Sequence, residues 1–124
     1  MVGRAQPQPS IVQGPTRGEV HIVDFPDLDG RVVRGPCVVV QTDRMRRSST
    51  VVVVPLTSFA KAAPLQPAFL AEVGSSESGL SRDGWAKCDQ PMTVPASLLG
   101  APTGRLSPEA IARLDAALRF VLGF

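Results

Sequence analysis

The sequence predicts a small fold that is mainly β, in which short strands form a strongly curled sheet or partly open barrel and one helix ends the chain. With 124 residues the chain has the size of a single domain. Several apolar runs rich in β-branched residues are too short for helices, and only the last segment repeats apolar residues at helical spacing. There is no internal repeat and no alternation of strands with helices, so a parallel sheet is not expected.

Residues 1–16 have the composition of a solvated tail, with three prolines and two glycines, and are predicted to be disordered. They lack the continuous apolar run of a signal peptide, and no stretch of the chain is long enough to span a membrane. Cys37 and Cys88 are predicted to be free buried thiols rather than a disulfide. We therefore expect a cytoplasmic protein whose single domain covers residues 17–124.

Three strands are predicted in the first half of this domain. GEVHIVDF gives a strand over residues 18–25, which the turn residues PDLDG end. The β-branched runs PCVVVQ, residues 36–41, and TVVVVPL, residues 50–56, are joined by the polar segment TDRMRRSS. Both of these runs are expected in the centre of the sheet.

The second half is predicted to contain weaker strands and then the helix. AFLAEV, residues 68–73, and GWAKCDQ, residues 84–90, flank a loop rich in Gly and Ser, and a short strand is expected over residues 103–106. Ser107 has the character of an N-cap, and Pro108 suits the first helical position. The apolar side chains that share one face of this helix are Ile111, Leu114, Leu118, Val121 and Leu122.

Positive charge is concentrated in one window although the net charge is only +2. Residues 31–47 contain five arginines and a single acid, so over a third of the 13 basic residues of the chain lie there. This distribution predicts a local basic patch rather than a basic protein. The five arginines are Arg31, Arg34, Arg44, Arg46 and Arg47.

Most cofactor and metal chemistry has no support in the sequence. There is no Gly-rich phosphate-binding loop of the nucleotide-binding types, and neither the acids nor the cysteines show metal-ligand spacing. His21 is the only histidine and lies within a predicted strand, where a structural role is favoured over that of a catalytic base. We expect no metal and no cofactor.

The chemistry that the sequence still supports combines arginine with hydroxyl groups. Phosphate is the natural target of that combination. Arginine is always charged and presents a fixed fork of donors to phosphate oxygens. When RNA is cleaved by its own 2′-hydroxyl, negative charge builds on those oxygens, and fixed donors stabilise it. Thr57 and Ser58 end the third strand beside a strand that carries Arg31 and Arg34. The alternative is that these arginines are solvated caps and that the Thr-Ser pair is an ordinary turn.

Taken in order, the segments RGEVHIVDF, PCVVVQTD, TVVVVPLTS, KCDQ and GRLSPEAIARLDAALRFVLGF resemble the MazF/PemK family of toxin endoribonucleases. The similarity covers residues 17–124. It implies an SH3-like, partly open barrel with an amphipathic C-terminal helix, and a homodimer. It also implies metal-independent, sequence-specific cleavage of single-stranded mRNA at short sequences, which leaves 2′,3′-cyclic phosphate and 5′-hydroxyl ends. It also implies a cognate antitoxin whose acidic, flexible C-terminal segment occupies the RNA groove.

The resemblance matches the family's catalytic threonine with Thr57. The family's catalytic arginine directly precedes the proline that opens the second strand, and Gly35 has that position here. Arg34, one residue earlier, is predicted to take the role if a bulge at Gly35 redirects the chain. Trp85 either stacks on a base or belongs to the core. The predicted RNA-binding residues are Arg31, Gln41, Asp43, Arg44, Arg46, Arg47, Ser58 and Gln90.

Two other functions remain open at this point. Because of Gly35, the chain could be a catalytically impaired homologue that binds RNA or antitoxin without cutting RNA. Related toxins of the same fold type act on a protein such as gyrase, which is a second alternative. Growth arrest with intact RNA and damaged DNA would favour the gyrase-directed toxin.

Overall fold

A computed structural model describes residues 14–58 and 68–124 of the chain. Most of the predicted tail lies outside the described residues, and its disorder stays a prediction. The strands are β1 (Glu19–Pro26), β2 (Val32–Val39), β3 (Thr50–Ser58), β4 (Leu70–Val73), β5 (Gly84–Lys87), β6 (Met92–Pro95) and β7 (Gly104–Arg105). The helices are α1 (Ser75–Ser78) and α2 (Pro108–Leu122), and two short 3-10 turns cover Asp43–Met45 and Ala96–Leu98.

All strand pairs are antiparallel, in the order β4-β5-β3-β2-β1-β7. On the side of β3 away from β2, β6 pairs with its first half and β5 with its last three residues. Within the described part of the chain the sheet is open, since β4 and β7 at its ends each have one neighbour. The predicted fold class, an antiparallel sheet followed by a C-terminal helix, is confirmed, and β3 is central.

β2 begins earlier than the sequence predicted. Its pairing with β1 is continuous from Val20 opposite Val38 to Pro26 opposite Val32, so Pro36 lies within the strand instead of opening it. Proline is tolerated there because the backbone N–H it lacks would point toward β3, and the β2–β3 pairing ends at Cys37 opposite Pro55. β6 was not predicted, and β5 ends at Lys87 because a turn follows it.

The bulge at Gly35, which was the condition for the predicted role of Arg34, is not present in β2. Gly35 lies opposite Val23 in the unbroken β1–β2 register, and among the described residues the glycines with positive φ lie elsewhere. A Cβ added at Gly35 would lie 3.5 Å from the ring of Phe25, which is an ordinary contact. Since no extra residue interrupts the alternation of the strand, the side chain of Arg34 lies on the face opposite to position 35.

Two apolar cores lie on the two faces of the sheet. The helix-side core lies under α2, which begins with the Ser107 hydroxyl accepting a hydrogen bond from the Ala110 N–H at 3.2 Å, as predicted. In the described part of the chain, no helix is long and apolar enough to cross a membrane. The helix-side core contains Val20, Val38, Val54, Ala71, Val73, Ala86, Cys88, Leu106, Ala110, Leu114, Ala117 and Leu118. The second core contains Val23, Cys37, Val39, Val51, Val53 and Val94.

The stability of the fold is expected to depend strongly on Leu114, whose side chain is fully buried between α2 and the sheet. Leu114→Ala removes that packing and leaves a cavity, so we expect the free energy of unfolding to fall by about 2 to 5 kcal/mol. Urea denaturation followed by circular dichroism measures this. Leu98→Ala, at a leucine that is 49% exposed, is the matched control and should change it by less than about 0.5 kcal/mol. Equal losses in the two variants would contradict this packing.

Both cysteines are free and buried, as the sequence predicted. Burial raises the pKa of the Cys37 thiol to about 12. Burial, with a smaller effect of the nearby Asp89 carboxylate, raises that of Cys88 to about 11. Both thiols therefore stay protonated near neutral pH and serve as small apolar side chains.

Candidate functional site

Thr57 lies near the end of β3 with its side chain on the second-core face. Val51 and Val53 of the same strand pack into the second core, so by alternation Pro55 and Thr57 face that side. Thr57 is half-buried and lies opposite Trp85 of β5. Past Cys37 and Pro55, where the β2–β3 pairing has ended, a cavity opens beside the threonine.

This cavity, which we call the Thr57 cleft, has a volume of about 620 Å³. It lies between the β1–β2 turn on one side and the segment after β5 on the other. Of the described residues that line it, Lys87 carries positive charge, and three carry carboxylates. The polar residues that line it are Asp27, Asp29, Thr57, Lys87, Asp89 and Gln90, and the apolar ones include Phe25, Leu28, Val33, Pro55 and Met92.

Lys87 lies on the same face of the sheet as Thr57. In β5, Ala86 packs into the helix-side core and pairs with Leu56, so the side chains of Trp85 and Lys87 alternate toward the second-core face. Trp85, left open by the sequence between base stacking and core, is half-buried there. The sequence predicts a role only for the glutamine of KCDQ, because the face on which the lysine lies follows from the register between β3 and β5.

Arg34 is not brought to this face. Its guanidinium lies 3.3 Å from the Asp24 carboxylate across the β1–β2 pair, and both side chains are more than half exposed. Val38 of β2 packs into the helix-side core, so Pro36 and Arg34 follow on that side. The proposed catalytic role of Arg34 stays a prediction. To reach the Thr57 hydroxyl, its side chain would have to leave Asp24 and pass to the other face.

The remaining predicted RNA-binding residues are distributed over both ends of β3. Gln41 is used internally: its side-chain amide donates to the carbonyls of Met45 at 3.2 Å and Thr50 at 3.3 Å, and its oxygen accepts from the N–H of Val52. The Asp43 carboxylate likewise accepts from the N–H of Arg17 at 2.7 Å. These contacts hold the conformation of the β2–β3 loop, so Gln41 and Asp43 help to position the arginines of that loop.

The arginines of that loop differ in exposure. Arg46 donates from Nε to the carbonyl of Gly14 at 3.2 Å, whereas Arg44 and Arg47 are exposed. The loop precedes Thr50, which lies about 23 Å from Thr57 along the strand at about 3.3 Å per residue. These arginines therefore lie far from the threonine, and contact with both would require an extended ligand.

Arg31 and Gln90 lie near the cleft, on its two sides. The backbone N–H of Arg31 donates to the Asp27 carboxylate at 2.9 Å, which closes the β1–β2 turn, and its side chain is exposed. Gln90 lines the cleft directly. The structure thus brings together Thr57, Gln90 and, unpredicted, Lys87.

Ser58 lies on the opposite face and lines a second, smaller cavity of about 330 Å³, which we call the Ser58 pocket. Leu56 and Thr57 line both cavities, so the end of β3 separates them. The other residues that line the pocket are Pro36, Val73, Ser78, Leu80, Ser81, Arg82 and Gly84.

The described residues offer neither a metal centre nor a free histidine. Across residues 14–58 and 68–124, no three His, Cys, Asp or Glu side chains come together in a way that would hold a metal ion. His21 is buried, with Nε2 3.0 Å from the Glu19 carboxylate, which also binds Arg105 and Thr16. Burial alone would raise the pKa of Glu19, but hydrogen bonds from Thr16 and His21 lower it overall. His21 therefore serves the structure of β1, as predicted.

Comparison with known proteins identifies the family. The model of the PemK-like, MazF-like toxins of type II toxin-antitoxin systems matches residues 16–122. The chain belongs to this family. Its predicted membership of the MazF/PemK toxins is therefore confirmed.

Individual relatives agree with this assignment. The toxin is 34% identical over 115 residues to endoribonuclease MazF9 of Mycobacterium tuberculosis, an alignment that covers 86% of this chain and 94% of the relative. A mycobacterial endoribonuclease solved in complex with its cognate antitoxin superposes with a TM-score of 0.70 at 25% identity, covering 89% of this chain and 96% of that one. The M. tuberculosis toxin MazF-mt6, at 21% identity, has a TM-score of 0.70 over 86% of this chain and 97% of its own, and supports the fold alone.

Proposed function

We propose that this MazF-family toxin is a metal-independent endoribonuclease that cleaves single-stranded mRNA in the Thr57 cleft. The observation that carries the proposal is that a threonine hydroxyl and a lysine ammonium share one face of an open cleft at the end of the central strand. Endoribonuclease MazF9, with which the toxin shares 34% identity, supports the reaction class.

In the proposed reaction, the 2′-oxygen of a ribose attacks the adjacent phosphorus, and the bond from phosphorus to the 5′-oxygen breaks. The products are a 2′,3′-cyclic phosphate and a 5′-hydroxyl. Thr57 and Lys87 donate hydrogen bonds to the phosphate oxygens, where charge develops in the transition state. A carboxylate of the cleft accepts the 2′-hydroxyl proton, and the candidate is Asp89, which lines the cleft two residues after Lys87. The leaving 5′-oxygen takes a proton from the Lys87 ammonium.

Arg34 is the second candidate for the cation, as the sequence proposed. Its exposed guanidinium has a single carboxylate neighbour in the described structure, so a phosphate could replace Asp24 as its partner. Arg34 lies on the same face of the sheet as Ser58. This geometry favours contact with the RNA beside the cleft over contact at Thr57.

The residues that line the Thr57 cleft carry more negative than positive charge, so we propose that RNA binding depends on cations outside the cleft. Three carboxylates face one ammonium there, a balance that repels a polyanion. Arg44 and Arg47, exposed on the β2–β3 loop, supply attraction at a distance, and Arg31 supplies it beside the cleft. We propose that these arginines bind phosphates with little choice of sequence.

Removing the two exposed loop arginines should therefore weaken the salt dependence of RNA binding. For the double variant Arg44→Ala and Arg47→Ala, we expect the slope of log Kd against log salt concentration to fall by about 1.4, at about 0.7 per phosphate contact on a single strand. Fluorescence anisotropy with a labelled, 2′-O-methylated RNA measures it. Arg119→Ala, at an exposed arginine of α2, is the control, and an unchanged slope in the double variant would show that the loop is merely solvated.

We further propose the partners and location that the resemblance implies. The mycobacterial relative was solved in complex with its cognate antitoxin, which supports a cognate antitoxin for this toxin. The acidic, flexible C-terminal segment of that antitoxin rests on the family resemblance alone. Phe120 in the last turn of α2 and Phe124 just beyond the helix have apolar side chains that are 65% and 75% exposed, which supports a self-association surface and a homodimer. Because the proposed substrate is mRNA, we place the toxin in the cytoplasm.

The direct test of this function is incubation of the purified toxin with mixed single-stranded RNA in EDTA. We expect fragments to appear, because no step needs a metal. Retained RNA binding with intact RNA would instead favour the impaired homologue that Gly35 suggests. Growth arrest with intact cellular RNA and damaged DNA would favour the gyrase-directed alternative.

A further inference from the structure

The Ser58 pocket is a cavity that the proposed reaction does not use. We infer that it is a binding site for one unpaired nucleobase of the RNA, next to the phosphate held at Thr57. This inference rests on the proposed function, since it places the base of a nucleotide relative to that phosphate. The pocket would give the toxin a preference for RNA sequence at one position.

The size and lining of the pocket suit a single base. Its volume of about 330 Å³ is at the small end of the range of about 300 to 1,000 Å³ for small-molecule sites. Pro36, Leu56, Val73 and Leu80 supply apolar surface for the faces of a planar ring. Bases outside a duplex can be held between apolar side chains and recognised by hydrogen bonds to their edges.

The polar groups at the pocket match the edge of a base. Ser58 and Ser81 contribute hydroxyls that can donate or accept, and Arg82 contributes a fork of donors at the exposed side. A guanidinium that pairs with two acceptors of a purine edge is a common form of base recognition. The positive charge of Arg82 also favours a segment of RNA, which is a polyanion, over a neutral small molecule as the ligand of this pocket.

The wall that carries Ser81 and Arg82 is fixed to the rest of the fold. The buried Ser78 hydroxyl accepts from the N–H of Leu80 at 3.1 Å, and the Ser78 carbonyl accepts from the Thr103 hydroxyl at 2.7 Å. The Asp83 carboxylate accepts from the N–H of Ser75 at 2.8 Å and closes the loop. A preformed wall loses little freedom on binding, which favours discrimination between bases.

The position of the pocket connects it to the cleavage site. Leu56 and Thr57 line both cavities, so a nucleotide at the end of β3 can present its phosphate to one and its base to the other. Arg34 lies two residues from Pro36 on the face of the pocket, where it would meet the next phosphate of the RNA, on the other side of the bound base from the phosphate held at Thr57. This gives Arg34 a role in RNA binding without moving it across the sheet.

The test is a scan with abasic nucleotides, repeated in a variant whose pocket is filled. The probes are 2′-O-methylated oligonucleotides of the sequence that the toxin cleaves, or of the sequence it binds most tightly if it cleaves none, each with one base removed. With the unmodified toxin, we expect one abasic position to raise Kd about tenfold. In Ser81→Trp this penalty should disappear. In Ser76→Trp, which places the same side chain at an exposed position of α1 outside the pocket, it should persist.

The outcomes separate the base site from the cleavage function. A penalty that persists unchanged in Ser81→Trp overturns the base site even if the toxin cleaves RNA. A penalty that disappears there, in a toxin that cleaves no RNA, supports the base site and overturns the endoribonuclease. Absence of RNA binding overturns both. If Ser81→Trp does not fold by circular dichroism, Arg82→Ala decides: the penalty should fall at the same position, and an unchanged penalty overturns the site.

Discussion

Thr57→Ala is expected to lower kcat/KM for RNA cleavage by about 100- to 1,000-fold while leaving the fold intact. The loss follows from removing one fixed donor to the phosphate oxygens, which are more negative in the transition state than in the ground state. Thr57 is half-buried at the end of β3, so the shorter side chain costs little packing. Single-turnover cleavage of a labelled oligonucleotide measures the effect on the chemical step.

Thr93→Ala is the matched control for this variant. Thr93 is an exposed threonine of β6, on a strand that also pairs with β3 but lies outside the Thr57 cleft. Its replacement should leave cleavage within about twofold of the unmodified toxin. If Thr57→Ala cleaves RNA as fast as Thr93→Ala does, the hydroxyl has no part in the reaction.

Lys87→Ala is expected to lower kcat/KM at least about 100-fold, and Arg34→Ala less than about tenfold. Lys87 shares a face with Thr57 and opposes three carboxylates, so its removal leaves the cleft negative as well as lacking a donor. Arg34 pairs with Asp24 on the other face. Lys87→Arg retains the positive charge and should recover part of the activity. Steady-state cleavage kinetics give kcat and KM separately for each variant.

The opposite ranking would restore the assignment made from the sequence. Suppose that Arg34→Ala abolishes cleavage and Lys87→Ala does not. The Arg34 guanidinium would then reach the phosphate in the RNA complex, and its side chain would move to the other face of the sheet when RNA binds. Equal and complete losses would mean that both cations hold the phosphate.

The sequence predicted elements well where the signal is local. The β-branched run of β3 and the cap, proline and apolar spacing of α2 are properties of adjacent residues, and both elements lie where they were expected. The start of β2 was wrong because its first half, with Arg34 and Gly35, is held by pairing with β1 rather than by propensity. β6 was missed because MTVP is a short run that becomes a strand by pairing with β3.

The candidate site shows the same limit more clearly. Thr57 was predicted from the family motif at the end of an obvious strand. Arg34 was predicted as the cation because it lies one residue before the position of the family's arginine. Whether Arg34 or Lys87 faces Thr57 depends on alternation within two different strands and on the register between them. Gln41 and Asp43 were assigned to RNA, and this assignment stays a prediction. The structure adds that both also make hydrogen bonds that shape the loop carrying the arginines, which the sequence did not indicate.

The central claim is that the 2′-hydroxyl of the RNA attacks its own phosphate in the Thr57 cleft without a metal. The most direct measurement is end-group analysis, in EDTA, of a cleaved oligonucleotide and of the same oligonucleotide with one 2′-deoxy sugar at the cleavage position. We expect 2′,3′-cyclic phosphate and 5′-hydroxyl ends from the first and no cleavage of the second. Cleavage of the 2′-deoxy oligonucleotide at the same bond, or products with 5′-phosphate ends, would contradict the mechanism.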